Sequence, residues 1–169
     1  MRAYHKEVLQ GEEIRLKKEP WTQAEYRKDY LNYLNELLTP DSEVVEFGTG
    51  GSSPYIAKRV KSLEVYESDE TWYKAVLEEI AKEDIANITI YLDPDYAKDF
   101  HGTEPRFDIA IVDVWHGPKR IKCIESAMEC LRSGGCLIYH NRIFTKRLKQ
   151  KGWILLKDWG KWKTVWRKP

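Results

Sequence analysis

Two acidic residues flanking a glycine-rich turn are the groups of this chain best placed, by type and spacing, to do chemistry. Val44 to Val60 reads VVEFGTGGSSPYIAKRV. Val44, Val45 and Phe47 are β-branched or aromatic, whereas Gly48, Thr49, Gly50, Gly51, Ser52 and Ser53 cannot continue a strand, so the pattern is strand, tight turn and helix start. Gly48 and Gly50 supply backbone freedom and close approach. The amides of Gly51, Ser52 and Ser53 are expected to point out of a helix N-terminus with its partial positive charge. The plain alternative is an ordinary strand-to-helix turn of an α/β protein.

An amphipathic run continues to Val60, and a second strand-like run, LEVY, ends on Glu67. That acid falls roughly the ~20 residues downstream at which a Rossmann-type unit places a carboxylate for ribose hydroxyls. The dinucleotide fingerprint itself fails, because Ser53 stands where a third glycine would allow close helix packing. The order acid-x-Gly-x-Gly-x-Ser, made by Glu46, Gly48, Gly50 and Ser52, instead resembles the first motif of class I S-adenosylmethionine-dependent methyltransferases. Ser52 departs mildly from that motif, which often has glycine there. The resemblance implies that S-adenosyl-L-methionine is the cofactor, with its methionine part on the glycine turn and its ribose on the acid after the second strand.

The elements that must position these groups follow in order. Residues 1–40 read as an arm ending at Pro20 and a helix from Trp21 to Leu38, with Tyr26, Tyr30, Tyr33, Leu34, Leu37 and Leu38 at helical spacing and Thr22 as a plausible N-cap. The family usually carries such a helix over the cofactor or substrate opening; simple packing against the sheet is the alternative. Beyond Glu67, Ser68 and Asp69 can cap a helix over 71–82 with Trp72, Val76 and Ile80 on one face, and the resemblance adds Ser68 to the cofactor-binding set. NITIYL then reads as a third strand. It ends in Asp93-Pro94-Asp95-Tyr96, first of all a turn, and the resemblance makes Asp93 a candidate for the adenine amine.

FDIAIVDV, Phe107 to Val114, is apolar enough to be a strand buried on both faces. At its carboxyl end stand Asp113, Trp115 and His116, and ligands of open α/β sheets sit outside such ends. Asp113 is a candidate for both cofactor binding and catalysis, and His116 for catalysis; a loop anchor and a helix cap are the competing roles. A helix over 118–131 is closed by Ser133, Gly134 and Gly135, and CLIYH forms a fifth strand exposing His140 and Asn141. His116 or His140 can hold or accept the proton of a methyl acceptor, since imidazole titrates near working pH. A histidine satisfied by backbone is the other reading. After a short basic helix over 143–150, GWILLKDWGKWKTVWRK reads as a closing hairpin, also a feature of the family. The expected fold is therefore α/β: a three-layer Rossmann-like methyltransferase sheet, mostly parallel, with a C-terminal antiparallel hairpin, in one domain whose core spans 42–168.

The whole-chain net charge of +1 conceals a basic end, for Arg142 to Pro169 holds ten Lys or Arg residues against Asp158 alone. With Phe144, Trp153, Trp159, Trp162 and Trp166 interleaved, this is either a nucleic-acid surface or a protected sheet edge, where lysines discourage pairing and tryptophans fill the core; the edge reading is favoured. No apolar run approaches the ~18 residues of a membrane span, no signal peptide is recognisable, and a cytoplasmic protein is expected. Cys123, Cys130 and Cys136 lack paired metal-ligand spacing and read as reduced, buried thiols, so no metal is expected.

The expected activity is transfer of a methyl group to an unidentified acceptor, small or macromolecular. A methyl on sulfonium is already activated, so transfer needs in-line alignment and exclusion of water rather than a protein nucleophile. Two alternatives stay open: a methyltransferase-fold protein that binds cofactor or nucleic acid without transfer, and another S-adenosylmethionine-using enzyme. Tyr96 to Arg106 is too short for a recognition insertion. Specificity then rests on the first forty residues, the two histidine loops or a neighbouring subunit of a homo-oligomer.

Overall fold

The computed structural model describes residues 21–96, 104–115, 117–140, 142–160 and 162–169; the arm at 1–20, residues 97–103 of the stretch from Tyr96 to Arg106, His116, Asn141 and Lys161 lie outside them. The chain runs α1 (Trp21–Leu37), β1 (Glu43–Phe47), α2 (Ser52–Ala57), β2 (Ser62–Glu67), α3 (Glu70–Lys82), β3 (Ile88–Leu92), β4 (Phe107–Val112), α4 (Gly117–Cys130), β5 (Leu131–His140), α5 (Thr145–Gln150), β6 (Ile154–Asp158) and β7 (Lys163–Arg167). The seven strands form one sheet in the order β3-β2-β1-β4-β5-β7-β6. β1 to β5 are parallel, and β7 lies antiparallel to both β5 and β6. The order reverses between β1 and β4, where a crevice at the carboxyl ends is the normal ligand site of such sheets.

β1, β2, β4, β5 and β7 contribute alternate residues to two cores. On one face Val45, Phe47, Ala110, Val112, Leu137, Tyr139 and Trp166 meet Cys123, Ile124 and Ala127 of α4 and Leu148 of α5. On the other, Val44, Leu63, Val65, Ile109, Ile111, Ile138 and Val165 meet Tyr30 and Leu34 of α1 and Ile56 and Ala57 of α2. The near-continuous apolar character of β1 and β4 follows from burial on both faces. At the amino ends of the strands, Arg132 pairs with Glu43 and with Asp108 at 2.8 Å, and Asp108 also accepts the Glu43 amide at 2.8 Å. These bonds tie β1, β4 and β5 at the edge opposite the crevice.

Several local expectations are corrected. Thr22 lies inside α1 rather than capping it. β4 ends at Val112, which leaves Asp113 and Val114 in the loop. Ser133, Gly134 and Gly135 do not close α4 but belong to β5, which begins at Leu131 directly after the helix. The register of β4 on β5 slips between Phe107 and Ile109, so the glycines serve a bulge. Gly134 has φ +80°, and a Cβ on Gly135 would sit 3.0 Å from the carbonyls of Arg132 and Asp108. Asp69 caps α3 as expected, accepting the Thr71 and Trp72 amides.

The basic end resolves into a sheet edge. Trp153, Trp166 and Phe144 are buried. Trp159 packs edge-on against Tyr30 and Tyr33 of α1 and donates its indole N–H to Asp29. Most of these rings are therefore core and not stacking platforms, and Arg142, Arg147 and Lys157 pair with Asp158, Glu125 and Asp29. Trp166→Ala should cost about 3–5 kcal/mol of stability, because it empties a fully enclosed site under α4 and α5; urea unfolding measures it, and a loss below about 1 kcal/mol would mean that the site collapses around the gap.

Candidate functional site

The residue period of two along parallel strands decides which polar groups share a face. Glu46 stands opposite Val65 in β2, and Val65 and Glu67 are two apart, so both acids leave the sheet on the α1/α2 face. Ile111 is the β4 partner of Glu46, and Asp113 lies two residues on. Ile138 and His140 follow the same rule in β5, and Lys163 is the register partner of His140 in β7. Five ionisable residues, four on strands and Asp113 in the loop just past β4, thus line one face of the carboxyl edge in the order Glu67, Glu46, Asp113, His140, Lys163.

The glycine turn wraps the first two. Glu46 is 1 % exposed. Ser52 Oγ donates to its Oε1 at 3.0 Å and Ser53 Oγ to its Oε2 at 2.6 Å. Ser53 Oγ also accepts the Gly50 amide, and its hydroxyl meets that of Thr49 at 2.8 Å. Burial pushes the Glu46 carboxyl up to about 7, and the two serine hydroxyls only partly offset it. Gly48, at φ +85°, is required by the protein's own backbone: a Cβ there would lie 2.8 Å from the Asp113 carbonyl. The Phe47 carbonyl accepts the Asp113 amide at 2.8 Å, fastening the turn to the end of β4. The Ser53 amide is spent on the Gly50 carbonyl, whereas those of Gly51 and Ser52 have no partner among the described residues. Of the three amides expected to point outward, that of Ser53 is thus spent within the turn.

Glu67 is held by the backbone. Its Oε1 accepts the amides of Ser68 at 2.6 Å and Asp69 at 2.7 Å and the Tyr96 hydroxyl at 3.3 Å, while Oε2 accepts, among the described residues, the Thr49 amide alone at 2.7 Å. Burial raises its carboxyl above the ordinary value against these donors. Oε2 retains a lone pair for a further donor. Ser68 joins the site through its backbone. Asp93 makes the expected turn, accepting the Asp95 amide on Oδ1 and the Tyr96 amide on its carbonyl. That turn carries Tyr96, buried and at φ +48°, onto Glu67. A buried aromatic in the left-handed region is a strained arrangement, and only the Pro-Asp turn signal hinted at it.

At the other end, Asp113 Oδ1 lies 2.7 Å from His140 Nε2 and Oδ2 3.0 Å from Lys163 Nζ. Burial pushes the Asp113 carboxyl up, but the Lys163 ammonium and the His140 hydrogen bond outweigh it and hold it well below the usual carboxylate range. Lys163 is 5 % exposed, and the Tyr30 ring lies 4.7 Å from its ammonium. Neither Lys163 nor Tyr30 was among the expected site residues. The structure brings Asp113 and His140 together; His116 and Asn141, the other residues expected at these loops, lie outside the described residues. Arg120 fixes the loop between, donating to the carbonyls of Val114 at 2.6 Å and Trp115 at 3.1 Å. Trp115 is 79 % exposed beside it. Among the described residues no group of three or more His, Cys, Asp or Glu has metal-site geometry, and the three cysteines are buried.

No family model matches the sequence, and no curated protein matches it. Solved structures do. SMU.1697c of Streptococcus mutans, a candidate methyltransferase solved in complex with S-adenosylhomocysteine, superposes with a TM-score of 0.67 at 17 % identity over 85 % of this chain and 97 % of that one. An rRNA methylase from Streptococcus thermophilus gives 0.59 at 19 % identity over 81 % of this chain and 92 % of that one. The N-methyltransferase NodS from Bradyrhizobium japonicum gives 0.62 at 13 % identity over 88 % and 97 %. The chain has the class I methyltransferase fold.

The raised Glu46 carboxyl has a consequence for stability. Between about pH 4.5 and 7 the folded chain keeps a proton that the unfolded chain releases, so stability falls as pH rises through that window, by about 3 kcal/mol in all. Urea unfolding between pH 4.5 and 7.5 should show the decline. Glu46→Gln should remove most of it; a Gln variant with the wild-type slope would assign the decline to other groups.

Proposed function

We propose that the chain is an S-adenosyl-L-methionine-dependent methyltransferase acting on an acceptor yet to be identified. The observation that carries this reading is the common placement of Glu46 and Glu67 on one face, on either side of the Gly48–Ser53 turn. The fold is shared with a protein solved with S-adenosylhomocysteine bound. In this reading the remaining lone pair of Glu67 Oε2 takes a ribose hydroxyl. The free amides of Gly51 and Ser52 face the methionine portion, with Glu46, Gly48, Thr49, Gly50 and Ser53 shaping the turn. Ser68 and Asp93 border the adenine end. When bound, the cofactor supplies an electrophilic methyl; the protein binds, aligns and excludes water. Asp113 and His140 lie at the far end of the row, where the acceptor would approach.

Two solved relatives of the fold carry names that place their methyl groups on RNA, an rRNA methylase and a tRNA (m1A58) methyltransferase from Aquifex aeolicus. Trp153, Trp166 and Phe144 are buried and so not open to stacking on bases, which weighs against a nucleic-acid surface at the basic end. Among the described residues no helix is long and apolar enough to cross a membrane, and a cytoplasmic location fits the reduced thiols.

Isothermal titration calorimetry with S-adenosylmethionine, S-adenosylhomocysteine, NAD and ATP tests the reading. S-adenosylhomocysteine should bind, and Glu67→Ala should lose about tenfold or more of that affinity, the range for a hydrogen bond to a charged group. Binding of NAD with none of either S-adenosyl compound would overturn the assignment.

A further inference from the structure

The row at the carboxyl edge contains one charge that a bare methyl-transfer site does not call for. Lys163 comes from β7, the strand inserted antiparallel between β5 and β6, and is almost wholly buried. A buried ammonium is tolerated only when paired and hydrogen-bonded. Its acceptor is Oδ2 of Asp113 at 3.0 Å, and the Tyr30 ring of α1 packs against it at 4.7 Å. The second carboxylate oxygen, Oδ1, faces His140 Nε2 at 2.7 Å. Asp113, His140 and Lys163 are therefore one connected group, and its register is set by the β5–β7 pairing of His140 with Lys163.

Proton bookkeeping gives this geometry a direction. An ionised carboxylate only accepts hydrogen bonds, so the nitrogen facing it must carry hydrogen. His140 Nε2 is then N–H, and in the neutral ring Nδ1 holds the lone pair. Among the described residues Nδ1 has no hydrogen-bond partner, and the side chain is 30 % exposed. Among the described residues, the other charged or titratable groups coupled to the cluster are Tyr30 from α1, Glu46 from β1 and Arg120 from α4.

We infer that Lys163 is a positioning residue: by pairing with Asp113 it keeps that carboxylate ionised, fixes the His140 tautomer with hydrogen on Nε2, and so presents Nδ1 as a base toward a hydroxyl acceptor. This rests on the methyltransferase reading. In the transfer the acceptor oxygen forms a bond to the methyl carbon as the carbon–sulfur bond breaks. The bonding pair returns to sulfur, leaving a neutral thioether, and the hydroxyl proton passes to His140 Nδ1. The resulting imidazolium lies against the Asp113 carboxylate. Lys163 neither touches the acceptor nor gains or loses a proton. An acceptor of this class, a hydroxyl, has a proton that must leave, whereas a neutral amine already offers its lone pair.

The test needs no acceptor. In protein labelled with 15N histidine, long-range nitrogen–proton correlations at a pH where His140 is neutral should show the Nε2–H tautomer; the Nδ1–H tautomer would overturn the proposal. The Asp113 carboxyl carbon, followed with pH, should stay ionised through the ordinary carboxylate range in the wild type. In Lys163→Met its midpoint should rise by about one pH unit or more, and in Lys163→Arg it should remain low. An unchanged midpoint in a folded Lys163→Met variant would remove the positioning role. Should that variant fail to fold, the wild-type tautomer and Lys163→Arg decide: Nδ1–H in the first, or an Asp113 midpoint in the ordinary range in the second, overturns it. Calorimetry with S-adenosylhomocysteine on the same samples separates the two levels. Lost binding in the wild type sinks the methyltransferase reading, while intact binding with the wrong tautomer sinks only this one.

Discussion

Alternation along the strands, locked by parallel register, is the constraint from which the site follows. A strand sends successive side chains to opposite faces. Residues two apart in β1, β2, β4, β5 and β7 therefore continue the apolar columns of one core and end, at the carboxyl edge, in Glu46, Glu67, Asp113, His140 and Lys163. A slip of one residue in any pairing would send the affected group to the other face. The charged row is thus secured by the hydrophobic packing beneath it, chiefly Val65, Ile111, Ile138 and Val165.

The row divides electrostatically. Glu46 and Glu67 are enclosed by hydroxyls and amides, with no cation bonded to them among the described residues, and burial raises both carboxyls. Asp113 meets Lys163 and His140 and is driven the other way. Groups of one chemical kind within a few residues of one sheet edge are thereby set to different protonation behaviour, an arrangement common where binding and proton handling are kept apart. Gly48 joins the halves, since only a residue without a side chain lets the turn after β1 lie against the Asp113 backbone.

The N-terminal helix contributes to this edge as well as to the core. Tyr30 packs on Lys163, and one turn further on Leu34 is fully buried on the same face. Asp29 holds the β6–β7 corner through Trp159 and Lys157. The buried ammonium is thus covered in part by a helix more than a hundred residues away in sequence.

Much was legible in the chain itself. The strand-turn-helix around Gly48, the acid at Glu67, the doubly buried β4 and the closing hairpin all have local causes: apolar runs, glycines and turn residues within a few positions of one another. The resemblance carried by Glu46, Gly48, Gly50 and Ser52 pointed to the fold that the solved structures share. Where local signals misled, a non-local pairing had prevailed. Gly134 and Gly135 resembled a helix stop, but the β4–β5 register uses them as a bulge within a strand. Lys163 looked like one more lysine of a basic edge, and Tyr30 like one more apolar helix position. That they meet beside Asp113 and His140 was decided only when β7 paired antiparallel with β5 and α1 closed over Lys163, because which charges share one edge of the sheet depends on strand order and register, and neither is written in any short stretch of sequence.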